Sequence, residues 1–234
     1  MIRTAPGRQN LAQRARPGER CGGDASPTSP YLATQRWSHP SRIHSLVSSL
    51  ELFAAVLGAL SVYLSVRQNI WSWPTAIINV SVYAVVFFHA KLYADMGLQV
   101  IYAVLSVYGW YEWLHGGENR TELHVSRTGP RLGALLSVIA LAGSAVLGLV
   151  LRSATDAALP FMDSFLSSTS LVAQWMMTRK KLENWLVWIG VDVLYVGMFT
   201  VKHLYITAAL YVVFLALAVR GYIDWRRSMT AVAA

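Results

Sequence analysis

The chain has 234 residues, 55% of them hydrophobic and only 14% charged, with a formal net charge of +8. The charged share is far below the roughly 25% of ordinary soluble domains, and with a mean hydropathy of +0.41 it argues against a soluble enzyme. Nearly all Lys and Arg lie in the N-terminal tail or between apolar runs, as membrane proteins distribute them, so the charge points away from a nucleic-acid partner. The single cysteine, Cys21, excludes an internal disulfide and any Cys-cluster metal site, and no cofactor is expected.

In chain order, residues 1–45 are rich in Arg, Pro, Gly and Ser and hold no apolar run. They are expected to be a disordered tail, and without an apolar core region they do not read as a secretory signal peptide. Seven membrane spans are then expected at about 47–66, 73–89, 93–114, 131–151, 160–178, 184–201 and 204–225, an all-α membrane protein embedded in a lipid bilayer. The connections are too short for a soluble domain. The longest is a polar loop, 115–130, where Gly116 and Gly117 break the preceding helix. Residues 228–234 are expected to form a C-terminal tail.

Basic residues set the expected orientation. Arg67, Arg120, Arg127, Arg131, Arg179, Lys180, Lys181, Arg220, Arg226 and Arg227 fall on one side, while Lys91, Arg152 and Lys202 fall on the other with Arg36 and Arg42. The richer side is expected to be cytoplasmic, which puts the N-terminus outside and the C-terminus inside.

Shifted by 112 residues, the chain matches itself. Trp73 falls on Trp185, Tyr83 on Tyr195, Phe87 on Phe199, Gly109 on Gly221 and Trp113 on Trp225. The expected layout is therefore a first three-helix unit (46–114), a linker helix (131–151) that returns the chain, and a second three-helix unit (160–227). This is a 3+1+3 parallel repeat, with binding expected at the repeat interface.

Polar residues inside the spans mark the candidate site. Trp185, Trp188, Asp192 and Tyr195 follow at steps of three, four and three, which places them on one helix face at about 3.6 residues per turn. A carboxylate in hydrocarbon costs roughly 3 kcal/mol or more, so Asp192 is expected to face a cavity or a partner. Asn79 and Tyr83 occupy the matching span of the first unit. Asp95, Gln99, Tyr102 and Ser106 form a stripe in the third span, and Gln99 corresponds to Tyr211. Gln174 lies beside Trp175 in the fifth. Ser106, Thr169 and Ser170 read instead as structural, bonding to their own helix or a neighbour, and Glu112 and Asp224 as interface anchors. Enzyme signatures are missing: the histidines sit near span ends without metalloprotease spacing, and no nucleophile triad or phosphate loop occurs. A retinal protein would need a lysine inside the last span, and there is none.

The run Trp73-Pro74, Asn79, Lys91-Leu-Tyr-Ala-Asp95, Gln99, Tyr102 and Tyr108-Gly-Trp-Tyr-Glu-Trp113 resembles the bacterial PnuC family. So does the run from Ser170 to Trp175 and on through Glu183-Asn-Trp-Leu-Val-Trp188 to Asp192 and Tyr195. The resemblance covers about 47–227, with Thr75-Ala76 standing where a glycine is expected nearby. It implies facilitated diffusion of nicotinamide riboside across the bacterial inner membrane, with trapping by a cytoplasmic nucleoside kinase. It also implies a fold similar to the SWEET transporters and packing as a homotrimer. Relatives carry thiamine or riboflavin, and a receptor that binds without transporting is the different-class alternative. Chemically, Trp185 and Trp188 suit the pyridinium ring by cation–π attraction, on the order of 2 kcal/mol when desolvated. Asp192 suits its charge, and Asn79, Gln99 and Gln174 its carboxamide and ribose. With no Lys or Arg inside a span, the nucleoside is expected rather than the mononucleotide. Thiamine, also a cationic ring, fits next best.

Overall fold

Prolines and left-handed turn residues mark where the helices of this chain begin and end. The computed structural model describes residues 40–89, 91, 93–154 and 159–232; the expected tail lies outside them except for 40–45, which begin a helix. Seven α-helices follow one another: α1 (Pro40–Val66), α2 (Ser72–His89), α3 (Tyr93–His115), α4 (Pro130–Ala154), α5 (Pro160–Thr178), α6 (Asn184–Val201) and α7 (Tyr205–Val232). Three begin on proline, whose fixed φ and missing N–H suit a first turn. The bounds follow the expected spans closely. The exceptions are α1, which starts earlier, and α7, which runs to Val232 through most of the expected C-terminal tail.

Four of the helices are long and apolar enough to cross a membrane: Ser72–His89, Pro130–Ser153, Asn184–Val201 and Tyr205–Thr230, with Leu52–Val66 a shorter apolar stretch. Helices α3 and α5 fall short for a physical reason. They carry much of the polar stripe, and α5 buries Ser164, Ser168 and Ser170. Helix α5 packs against α3, α4 and α6, while α2 packs on α3 and α7 on α6. Helix α1 is held to α2 by Asn79, whose Nδ2 donates to the Ala54 carbonyl (2.7 Å).

One set of local contacts occurs twice, 112 residues apart. After α1, Gln68 N–H donates to Ser65 O (3.0 Å) and Asn69 N–H to Leu64 O (2.9 Å). After α5, Lys180 N–H donates to Met177 O (3.1 Å) and Lys181 N–H to Met176 O (3.0 Å). This is the Schellman arrangement, which consumes carbonyls that a helix end leaves free. Its left-handed residue is usually glycine, yet here it is Gln68 at φ 52° and Lys180 at φ 45°. Lys91 and His203 close α2 and α6 in the same way, at φ 59° and 58°.

The aromatic packing is paired as well. Trp73 meets Trp113 edge-on at 5.2 Å, and Trp185 meets Trp225 edge-on at 5.3 Å, both at 88°. Each pair depends on a glycine opposite: a Cβ at Gly109 would run into the Trp73 ring, and one at Gly221 into the Trp185 ring. Together with Val66, Met177, Leu182 and Ala218, the four indoles form the buried core at one end of the bundle. That end gathers the basic turns.

The stretch 115–130 is a polar connection with a short 3-10 turn at Glu118–Arg120, and it is docked. Ser126 N–H donates to Lys180 O (3.0 Å), Leu182 N–H to Ser126 O (2.9 Å), and Thr128 N–H to the Glu183 carboxylate (2.7 Å). These bonds consume backbone groups that a free loop would leave to water.

Candidate functional site

Helix α6 delivers its polar face in two parts. Trp185, at its N-terminal end, is 1% exposed and belongs to the indole core, not to an open cavity. The indole N–H groups of Trp185 and its counterpart Trp73 have no partner there. Trp188 is half-buried and leans on the same core. One turn on, Asp192 is 4% exposed. A further turn on, Tyr195 stacks on Phe199 (5.8 Å) and lies 4.6 Å from Tyr211 of α7.

Beside Asp192 the structure gathers tyrosines around Tyr211. Tyr211 lies within electrostatic reach of Tyr195, Asp192, Tyr102 and Tyr83. The Tyr102 hydroxyl of α3 bonds to Ser170 of α5 and also senses Tyr195. In the first half Tyr83 stacks on Phe87 at 5.8 Å, as Tyr195 does on Phe199. Four of the expected tyrosines, Tyr83, Tyr102, Tyr195 and Tyr211, are therefore neighbours, and two of them, Tyr195 and Tyr211, lie within electrostatic reach of Asp192.

Other expected residues are placed elsewhere or only nearby. Asn79 spends an amide N–H on the Ala54 carbonyl of α1, against Gly58; its described bond holds helices together. Gln99 and Gln174 are half-buried on α3 and α5. Among the described residues no hydrogen bond ties either to the tyrosines. Ser170, expected to bond to its own helix or a neighbour, bonds to a neighbour at the cluster itself. Glu112 is not merely an interface anchor. It pairs with Arg179 at 2.8 Å, linking α3 to the turn after α5.

One cluster neighbour was not among the expected residues. Asp163, in the first turn of α5, lies within electrostatic reach of Tyr195. A sequence signal for it existed, since Asp163, Ser167, Ser170 and Gln174 step by four, three and four. Those steps put all four on the α5 face that bears the Tyr102 partner.

Electrostatically, Asp192 and Asp163 form no ion pair among the described residues. Among the described residues the two ion pairs are Arg179–Glu112 and Arg220–Asp224, both outside the cluster. Outside the spans, burial holds the Lys180 ammonium below its usual range, with Glu122 pulling the other way. No three His, Cys, Asp or Glu side chains converge on a metal-sized site among the described residues. Two surface clefts, of about 280 and 300 Å³, lie away from the tyrosines, one along the end of α7 and one between α4 and α5.

Residues 48–227 match the profile of a family described as nicotinamide mononucleotide transporter. The chain belongs to this PnuC-type transporter family. It is similar to the nicotinamide riboside transporter PnuC of Escherichia coli (strain K12), 29% identical over 208 residues, covering 78% of this chain and 87% of that one. It is similar to PnuC of Neisseria mucosa at 29%, covering 77% and 73%. It is also similar to the riboflavin/roseoflavin transporter RibM of Streptomyces davaonensis at 25%, covering 75% and 83%. Among solved structures, the vitamin B3 transporter PnuC superposes with a TM-score of 0.63 at 27% identity, covering 82% of this chain and 85% of that one. The chain is thus a multi-pass membrane protein of a transporter family, not an enzyme.

Proposed function

We propose that this protein moves nicotinamide riboside across the bacterial inner membrane by facilitated diffusion. The observation that carries the reading is the buried Asp192 within electrostatic reach of Tyr195 and Tyr211, with no ion pair to it among the described residues. A buried carboxylate without a counter-charge is costly unless a cation visits it. The pyridinium ring of the riboside is such a cation, and its flat face suits tyrosine rings and Trp188. The names of the PnuC relatives support the same solute. Trp185, packed in the core below, backs Trp188 in this scheme. Gln99, Gln174 and the remaining Asn79 oxygen are assigned to the carboxamide and ribose.

The family description names the mononucleotide, whereas those relatives are named for the riboside. We favour the riboside because a phosphate wants Arg or Lys, and none lies at the cluster. Riboflavin is the second reading, favoured by the similarity to RibM; thiamine has no such support here. Riboflavin is uncharged and leaves Asp192 without a task.

We further propose that all seven helices span the membrane as two parallel three-helix units joined by α4, similar to SWEET transporters. The turns and indole pairs that recur 112 residues apart support this arrangement. By charge, the basic end faces the cytoplasm, with the N-terminus outside. A cytoplasmic kinase that phosphorylates the riboside gives the flow its direction, and the family resemblance favours a homotrimer.

Counterflow into proteoliposomes tests the solute. Preloaded riboside is expected to accelerate uptake of labelled riboside but not of the mononucleotide, and Asp192→Asn is expected to remove the effect. Counterflow with riboflavin alone would overturn the assignment. Saturable binding without counterflow would make the protein a receptor.

A further inference from the structure

Two seams join the halves at the basic end, and they are not equal. In the first, α3 meets the turn after α5; in the second, α7 meets the turn after α1. Each is closed by one indole. Trp113 Nε1 donates to Met177 O (3.1 Å), and Trp225 Nε1 donates to Ser65 O (3.0 Å). Here the likeness ends.

The first seam is ionic and covered. Arg179 pairs with Glu112 at 2.8 Å and donates to the Tyr108 hydroxyl at 3.0 Å. Lys180, 6% exposed, lies 4.5 Å above the Trp113 ring. The 121–128 loop is laid over the turn, with Ser126 bonded to the backbone on both sides of Lys181 and to its ammonium (3.0 Å).

At the matching positions of the second seam stand Arg67 and Asp224. Arg67 is exposed, while Asp224 is taken by Arg220 of its own helix (3.0 Å). Gln68 replaces Lys180 and makes a neutral bond, Nε2 to Ser228 Oγ (2.9 Å). Among the described residues no loop is bonded over the 67–71 turn.

The part-buried Gln68–Ser228 bond joins neutral groups and is exchanged for water at little net cost, whereas parting the first seam would separate Arg179 from Glu112, whose side chain is only 13% exposed, and undo the loop bonds as well. We propose that the first seam is the hinge of this protein and the second is its gate. When the halves rock, the turn after α1 parts from α7, while Arg179, Glu112 and the docked loop stay together. Residues Gln68, Ser228 and Arg67 then line the opening, and Arg179 positions the hinge without touching the solute.

The proposal rests on the transport reading only for its uptake measurement, so the experiment has two readouts. In full-length protein with Cys21→Ser, one variant carries Gln68→Cys with Ser228→Cys, and another carries Ser126→Cys with Lys181→Cys. Each is bridged with a short reducible bis-methanethiosulfonate reagent in proteoliposomes. Bridging 68 to 228 is expected to lower riboside counterflow at least tenfold, with recovery on reduction, while bridging 126 to 181 leaves it within twofold. Spin labels at the same positions, read by pulsed dipolar spectroscopy in lipid with and without riboside, thiamine or riboflavin, are expected to give two distances for 68–228 and one for 126–181. Counterflow that survives the 68–228 bridge, or is lost with the 126–181 bridge, would overturn the proposal. So would a single unchanging 68–228 distance. If the unbridged protein carries no riboside, the solute assignment fails and the distances alone decide the gate.

Discussion

Trp113 and Trp225 face each other across the two halves, ring centroids 5.9 Å apart at 60°, and each donates its N–H to a backbone carbonyl of the opposite half. The acceptors, Met177 and Ser65, also accept the inner backbone bonds of the two Schellman turns. Each half is therefore pinned to the turn of the other at matching positions. Trp113→Phe and Trp225→Phe keep an aromatic ring and remove only the N–H. Each is expected to cost about 1 kcal/mol, the net worth of one hydrogen bond, because each carbonyl keeps its backbone donor, Lys180 N–H or Gln68 N–H. Thermal unfolding in detergent would check this; unchanged melting in both variants would show the bonds to be dispensable.

The glycines opposite the other two indoles give a sharper test. Gly109→Ala and Gly221→Ala each push a methyl into a tryptophan ring that is already buried on its other faces. Overpacking of this kind costs about 1–3 kcal/mol. The two substitutions are expected to lower the melting temperature by similar amounts. Rescue is expected from pairing them with Trp73→Phe and Trp185→Phe respectively, because the smaller ring vacates the space. Crossed pairs are expected not to rescue.

Arg179 and Arg67 occupy matching turns but differ in what they hold. Arg179 reaches both Glu112 and Tyr108, while Arg67 is exposed. Lysine replaces the charge but not the planar fork. Arg179→Lys is expected to destabilise by about 1 kcal/mol, a modest figure because the Arg179 side chain is 38% exposed. Arg67→Lys is expected to be silent. Equal effects at the two sites would contradict the asymmetry of the seams.

Two carboxylates flank Tyr195, and their effects should depend on solute charge. Asp192→Asn is expected to reduce riboside uptake at least tenfold. Asp163→Asn, nearer the end of α5, is expected to reduce it severalfold, mainly through KM. Reduced nicotinamide riboside has nearly the same shape without the ring charge. Competition measurements with the two forms are expected to show that Asp163→Asn weakens the charged form and leaves the neutral one within twofold. Equal weakening of both would make Asp163 a packing residue.

Hydrophobic run length and the positions of Pro and Gly determined α2 to α6 closely, because a bilayer demands long apolar helices and the turns between them are short, while α1 and α7 run on past their apolar stretches. The indole and glycine contacts that recur 112 residues apart were also legible, since Trp and Gly cannot be exchanged freely where a ring packs on bare backbone. Spacing placed Trp185 and Asp192 on one face, and so they are. Periodicity, however, gives only a direction around the helix and not what stands opposite or at what depth. Tertiary packing decided that Trp185 lies over Gly221 in the core while Asp192, two turns on, lies near Tyr195 and Tyr211. It decided that Asn79 spends its amide on a neighbouring helix, and that Asp163 joins the cluster through a face of α5 that only its packing against α3 and α6 turns inward. The unequal seams were least legible of all. Arg67 and Arg179 match in sequence, and only the partner each can reach in space makes one a clamp and leaves the other free at the surface.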